Sequence, residues 1–322
     1  MRKYGWVAVA AIALVGCNEG EVIRKGGGES EGASADFERV YEFVPAPGQF
    51  VNDTVMAGYT DYVQDAASAA VYAERRLKAG LWLSLGGFGG YVVVGFDHDI
   101  ANDGGANIAI GGNQRAESNE PGIVWVMCDS NGNGLPDDGW YELAGSDSGA
   151  DYAAKGTVRG YEVTYYRPTE KGQAVRWTDN MGASGEIDYL AQYHKQDYYY
   201  PTWIAAEQYT LGGTRLAPHN YNKNADDPDK DAYWVNPPYD WGYADNLGSD
   251  AVEGGVVAGL AEGSTYTLHK IADAVDADGR RVNLASVRFV KVQTGVNAKS
   301  GWLGEISTEV TAVKDYNRIK NR

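Results

Sequence analysis

Asp129, Asn131 and Asn133 stand at alternate positions, Gly134 follows, and Asp137 and Asp138 close the run. Alternation turns side-chain oxygens inward and the glycine permits a sharp bend, which is the spacing of the first half of a calcium-binding loop. Leu135 falls where such a loop uses a main-chain carbonyl. All the donors are hard oxygens and no His or thiolate joins them, so calcium is the expected ion. Trp140 occupies the position of a helix-loop-helix sensor's bidentate Glu, and the flanks read as an apolar strand, Ile123–Met127, and an aromatic one, Trp140–Leu143. The expectation is therefore a structural calcium clip on a β-hairpin. A plain Asn/Gly/Asp turn without metal is the competing reading.

Other chemistry is sparser. Glu305 and Glu309 form the one carboxylate pair of the closing segment, and glycoside hydrolysis needs two carboxylates across a cleft. A solvated edge or a late pair of metal ligands fits them equally. His98, His194, His219 and His269 stand far apart and match no zinc spacing. Cys128 lies beside acids, which raise a thiol pKa and argue against a nucleophile. GESEG at 28–32 matches a nucleophile elbow in letters only, since no strand precedes it and no helix follows.

Aromatic residues set beside polar ones offer a binding face instead. Trp177, Asp179 and Asn180 fall in one such stretch, Tyr199 and Trp203 in a second, and Trp241, Tyr243, Asp245 and Asn246 in a third, with Trp302 near the end. Tyr and Trp on a rigid sheet stack on sugar rings or planar ligands with little entropy to lose. Core packing is the alternative use of the same residues.

These residues need a scaffold, and short alternating runs, 42 glycines and 23 tyrosines among 322 residues point to strands and turns. One helix is predicted over 65–79, capped by Asp65, rich in alanine and ended by Gly80. The glycine cluster 86–90 is expected to make a tight hairpin or bulge between two strands. The fold class is mainly β, a jelly-roll-like β-sandwich with one short helix and long loops. A net charge of -16 lacks the basic footprint that nucleic acid requires.

The first residues bear on compartment. Arg2, Lys3 and an apolar run end in LVGC, so residues 1–17 read as a secretory signal and Cys17 as the lipidated first residue of the mature chain. The acids Glu19 and Glu21 resemble the tag that sends Bacteroidota lipoproteins to the outer face of the outer membrane, a periplasm-facing lipoprotein being the competing reading. Residues 18–35 read as a flexible tether and 36–322 as one large ligand-binding β-sandwich.

Several blocks together carry a family resemblance: VPAPGQFVN, SLGGFGG, EPGIVWVM with DSNGNGLPDD and WYEL, WTDN, WGYADN and GWLGEISTEV. They resemble the Bacteroidota lipoproteins labelled "cell surface protein", some of them PKD-like. The resemblance implies a β-rich fold anchored outside the cell, and related surface proteins accompany TonB-dependent uptake systems, including corrinoid uptake. It assigns no catalytic residues. The expected function is non-catalytic capture of a small molecule or glycan, a corrinoid among the options, for an outer-membrane transporter. The alternatives are a carbohydrate-active enzyme using a carboxylate pair, and an adhesin or structural surface protein.

Overall fold

In the first strand, β1 (Arg39–Val44), a register shift between Val40 and Glu42 lets both Val40 and Phe43 face the core, with Tyr41 and Glu42 between them less buried. The structure is a computed structural model that describes residues 34–227 and 229–320. The signal segment, Cys17 and the tether up to residue 33 lie outside the described residues. Next comes α1 (Ala66–Lys78), whose bounds match the predicted helix to within a residue. The Asp65 carboxylate accepts from the Ser68 amide at 2.8 Å and the Ser68 hydroxyl accepts from the Asp65 amide at 3.0 Å, a reciprocal cap. Tyr72, Ala73 and Leu77 turn inward.

The chain then forms β2 (Leu83–Ser84), β3 (Tyr91–Ala101), β4 (Ile108–Gly112), β5 (Gly122–Met127) and β6 (Tyr141–Leu143). The middle supplies β7 (Val158–Tyr166), β8 (Val175–Asp179), β9 (Ser184–Ile187) and β10 (Gln208–Arg215). β11 (Tyr221–Asn222), β12 (Trp234–Val235), β13 (Ala251–Glu253), β14 (Thr265–His269) and β15 (Ala274–Val275) follow. β16 (Ser286–Thr294), β17 (Glu309–Val310), β18 (Ala312–Asp315) and the single turn α2 (Asn317–Lys320) end the described chain.

The protein is mainly β, a sandwich of antiparallel sheets with one short helix of more than a single turn among the described residues, and it closes no barrel. A six-stranded sheet runs β1-β3-β16-β5-β6-β15, and a four-stranded sheet runs β13-β14-β4-β18. Between them lies the main core, where Val92, Val94, Val124, Val290 and Val292 meet Ile108, Ile110 and Val313, with α1 closing the end. A second four-stranded sheet, β10-β7-β8-β9, covers its own core of Tyr161, Val163, Tyr165, Val175 and Leu211 around Phe88.

The glycine cluster does something other than make the expected hairpin. β2 pairs with β17, whereas β3 pairs with β1 and β16, so the strands on either side enter different sheets. Glycine is required because main chains press on each other here. A Cβ on Gly86, at φ 71°, would meet the Ala46 carbonyl oxygen at 2.0 Å, and one on Gly90 would meet that of Leu85 at 1.8 Å. The same pairing of β2 with β17 brings the segment after β1 against the segment before β17, and the candidate site lies there.

Candidate functional site

A cleft of about 570 Å³ opens between the loop after β1, which carries Gln49 and Phe50, and the segment Leu303–Ser307 ahead of β17. Its rim is aromatic: Tyr193 and Trp302 are about half exposed, with ring centroids 6.2 Å apart. Phe50 meets Trp82 edge to face at 5.0 Å and His194 at 4.8 Å, forming a wall. Polar groups line the floor, among them Asn113, Asn236 and three acids, Glu120, Glu305 and Glu309.

Glu305 is almost wholly buried. Its Oε1 accepts the Gln49 main-chain N–H at 2.7 Å, while Oε2 has no hydrogen-bond partner. A Cβ on Gly48 would sit 2.6 Å from that Oε1, so the carboxyl approaches the main chain as closely as glycine allows. Burial pushes its pKa up to about 8.

Glu120, Asp245 and Glu309 converge from three parts of the chain, each offering an oxygen within 4.8 Å of the others. Glu120 precedes β5, Glu309 opens β17, and Asp245 is held beside β5 by a bridge between Gly122 and Ala244. Asp245 adopts φ 53°, a left-handed conformation uncommon for a residue with a Cβ. Hydrogen bonds fix it there: the Asn113 amide donates to Oδ1 and the Glu309 amide to Oδ2, each at 2.9 Å. The Ser307 amide donates to Glu120 at 3.1 Å and its hydroxyl to Glu309 at 3.1 Å. Burial raises the pKa of all three, and each neighbouring charge raises those of Asp245 and Glu309 further.

The loop between β5 and β6 folds as a closed oxygen-rich turn. Asp137 accepts from the Asn131 amide at 3.0 Å and the Asn133 amide at 2.9 Å, and those two bonds hold its pKa down. The Ser130 N–H donates to Asp138 at 2.8 Å and the Leu135 N–H to Asn133 at 2.8 Å. Asp129 accepts from the Gly134 N–H through Oδ2, and its Oδ1 is buried without a partner. Tyr41 of β1 donates to the Gly134 carbonyl at 2.8 Å and pins the loop to the main sheet.

The ten residues expected to make one aromatic face do not meet. Tyr199 and Tyr243 are wholly buried and serve the cores, since Tyr fits a pleated, half-buried surface as readily as a ligand face. Trp203 stacks on Tyr59 at 5.5 Å against the main core. Asp179 and Asn180 are bound into the turn after β8, Asp179 by the Tyr161 hydroxyl and the Met181 and Ala183 amides, and Asn180 by Glu162 and Gly160. Asn246 clamps the main chain of Tyr239, and Trp241 lies partly exposed beside it in the chain, off the cleft. Trp177 lines a second, larger hollow of about 840 Å³ with Arg176, Glu186 and Lys299. Among the described residues lining that hollow the one acid, Glu186, is exposed, so chemistry favours the smaller cleft over the larger. Of the ten, Trp302 alone lines the cleft, and Asp245 lies behind its floor.

Sequence reasoning passed over Glu120, whose one signal is an acid set directly before Pro121 and an apolar strand. Glu305 and Glu309 are not a solvated edge, since both are buried. No protein-family model matches the chain, and no curated protein matches it.

Proposed function

We propose that the protein captures a glycan in the cleft between Gln49 and Glu309 without transforming it. The observation that carries the reading is an aromatic rim, Tyr193 and Trp302, over a floor of amides and carboxyls. Sugar rings present apolar faces to aromatic rings and hydroxyls to such polar groups. The volume lies within the roughly 300–1,000 Å³ of small-ligand sites. It suits one or two sugar rings better than an entire corrinoid.

Lipid anchoring through Cys17, exposure on the outer membrane and delivery to a TonB-dependent transporter complete this reading. Calcium in the 129–138 loop is its structural part, and the buried, unpartnered Oδ1 of Asp129 supports it. Hydrolysis is the second reading, because Glu305 is a proton-bearing acid at neutral pH in the cleft. Glycoside hydrolysis also needs an ionised partner, and burial raises Glu120 and Glu309 as well, which favours capture.

The test is tryptophan-fluorescence titration of the purified protein with a glycan panel and with cobalamin in calcium buffer, followed by assay for reducing ends. Saturable glycan binding without new reducing ends is expected. Release of reducing ends would favour hydrolysis, and binding of cobalamin alone would replace the glycan with a corrinoid.

A further inference from the structure

We infer that Glu120, Asp245 and Glu309, with the side-chain carbonyl of Gln114, form a binding site for a hard divalent cation, calcium foremost, at the floor of the cleft. It is separate from the 129–138 loop and does not depend on what ligand the cleft takes.

Two independent observations converge. The first is the three-carboxylate cluster, whose oxygens lie within 4.8 Å of one another. Among the described residues no Lys or Arg forms an ion pair with any of the three. Buried carboxylates this close repel strongly because little water screens them, so the cluster must take up protons or a cation. Its surroundings treat the acids as acceptors: the amides of Asn113, Ser307 and Glu309 and the Ser307 hydroxyl all donate to them.

The second observation is Gln114, two residues after β4. The residue is 4% exposed, and neither the oxygen nor the nitrogen of its side-chain amide has a hydrogen-bond partner. Its amide oxygen lies beside the Asp245 carboxylate. The point where a Cβ on Gly112 would stand is 2.4 Å from Gln114 Oε1 and 2.6 Å from Asp245 Oδ1. A desolvated amide oxygen without a partner is costly, and a bound cation would give that oxygen a partner. Three carboxylates and an amide carbonyl form an all-oxygen set without His or Cys, which selects calcium, magnesium or manganese over zinc. Ligands supplied by separate segments tolerate the irregular geometry that calcium accepts and magnesium does not. Glu120 and Glu309 face the cleft, so water completes the coordination from that side.

The test places the ion directly. Crystals of the unmodified protein are soaked in manganese, and anomalous difference maps are read at the cluster and at the loop. A peak among Glu120, Asp245 and Glu309 is expected. Calorimetric titration with calcium accompanies it, using Asp129→Ala to remove the loop site and Glu309→Gln to remove the cleft site. Asp129→Ala should retain one calcium, and the double variant should retain none. Because Gln is isosteric with a protonated Glu, Glu309→Gln should keep its thermal stability in chelator. No manganese peak at the cluster would overturn the inference, whatever the variants do. So would equal calcium stoichiometry in Asp129→Ala and the double variant, and the acids would then be held by protons and by the Gln114 amide turned onto Asp245.

Discussion

The main-chain N–H of Gln49 donates to the carboxyl of Glu305 at 2.7 Å, joining the loop after β1 to the segment ahead of β17 across 256 residues. The carboxyl it engages is buried and its pKa is raised to about 8, against roughly 4.3 for an unfolded Glu. A raised native pKa means that the folded state holds the proton more tightly. The stability this contributes is complete below about pH 4.3 and is lost as pH rises through about 8. Glu305→Gln keeps the neutral shape and removes the titration. It should match the parent protein near pH 4 and exceed it progressively up to pH 8, by on the order of 1 kcal/mol per pH unit. Urea unfolding midpoints at several pH values check this, and a constant difference between the two proteins would refute it.

His269 titrates in the opposite direction. It is wholly enclosed in β14, with Nε2 2.9 Å from the Thr267 hydroxyl, and burial lowers its pKa to about 3. A depressed native pKa gives stability that is present above the unfolded value of about 6.5 and lost as pH falls toward 3. His269→Gln should therefore flatten the acid limb of the stability profile between pH 6 and 4. It should leave the profile above pH 7 parallel to that of the parent. An unchanged acid limb, read by unfolding midpoints, would show that other groups govern it.

Arg159 and Glu142 make a different kind of demand. Glu142 is fully buried on β6 and receives Arg159 at 3.0 Å and the Thr214 hydroxyl at 2.5 Å. Truncating one partner leaves a desolvated charge, so Arg159→Met should cost about 3–5 kcal/mol. The double variant Arg159→Met, Glu142→Gln should recover much of that loss. A double-mutant cycle at pH 7 with no coupling would mean that the pair contributes only through packing.

The parts legible in the sequence were those specified locally. Asp65 and Gly80 mark α1, and the apolar and aromatic flanks of the 129–138 loop mark β5 and β6. The cleft was not legible, because pairings between distant segments create it. Glu120 and Glu309 meet only when β2 pairs with β17 and β16 carries the chain between β3 and β5. The tyrosines misled for a related reason: Tyr199 and Tyr243 have the same neighbours in sequence whether they face solvent or the core. Burial is decided by which sheet covers them, and that covering comes from far along the chain.

For the 129–138 loop, the discriminating variant is Asp129→Ala. The residue's Oδ2 accepts from the Gly134 N–H and its Oδ1 is buried without a partner, so the side chain has both an architectural role and one that an ion would fill. Calcium that binds only the folded loop adds about 2.7 kcal/mol at a hundredfold excess over Kd. The parent protein's thermal midpoint should therefore fall by several degrees more than the variant's when chelator replaces calcium, since the variant keeps only the cleft's calcium. An equal loss in both buffers would make the loop an ordinary Asx turn.

Trp302 and Trp177 decide which hollow takes the ligand. Trp302 forms the cleft rim beside Tyr193, and its indole N–H donates to the Ala232 carbonyl at 3.2 Å, fixing the ring. Because the ring is half exposed, removing it opens no cavity in the core. Trp302→Ala should weaken glycan binding about tenfold, ~1.4 kcal/mol, with an unchanged thermal midpoint. Trp177 lines the other hollow and packs against Gly185, where a Cβ would come within 2.5 Å of the indole, so Trp177→Ala should cost stability and leave affinity intact. The reverse pattern, with affinity lost in Trp177→Ala and kept in Trp302→Ala, would move the binding site to the hollow beneath β8 and β9 and leave the acid-floored cleft to its cation.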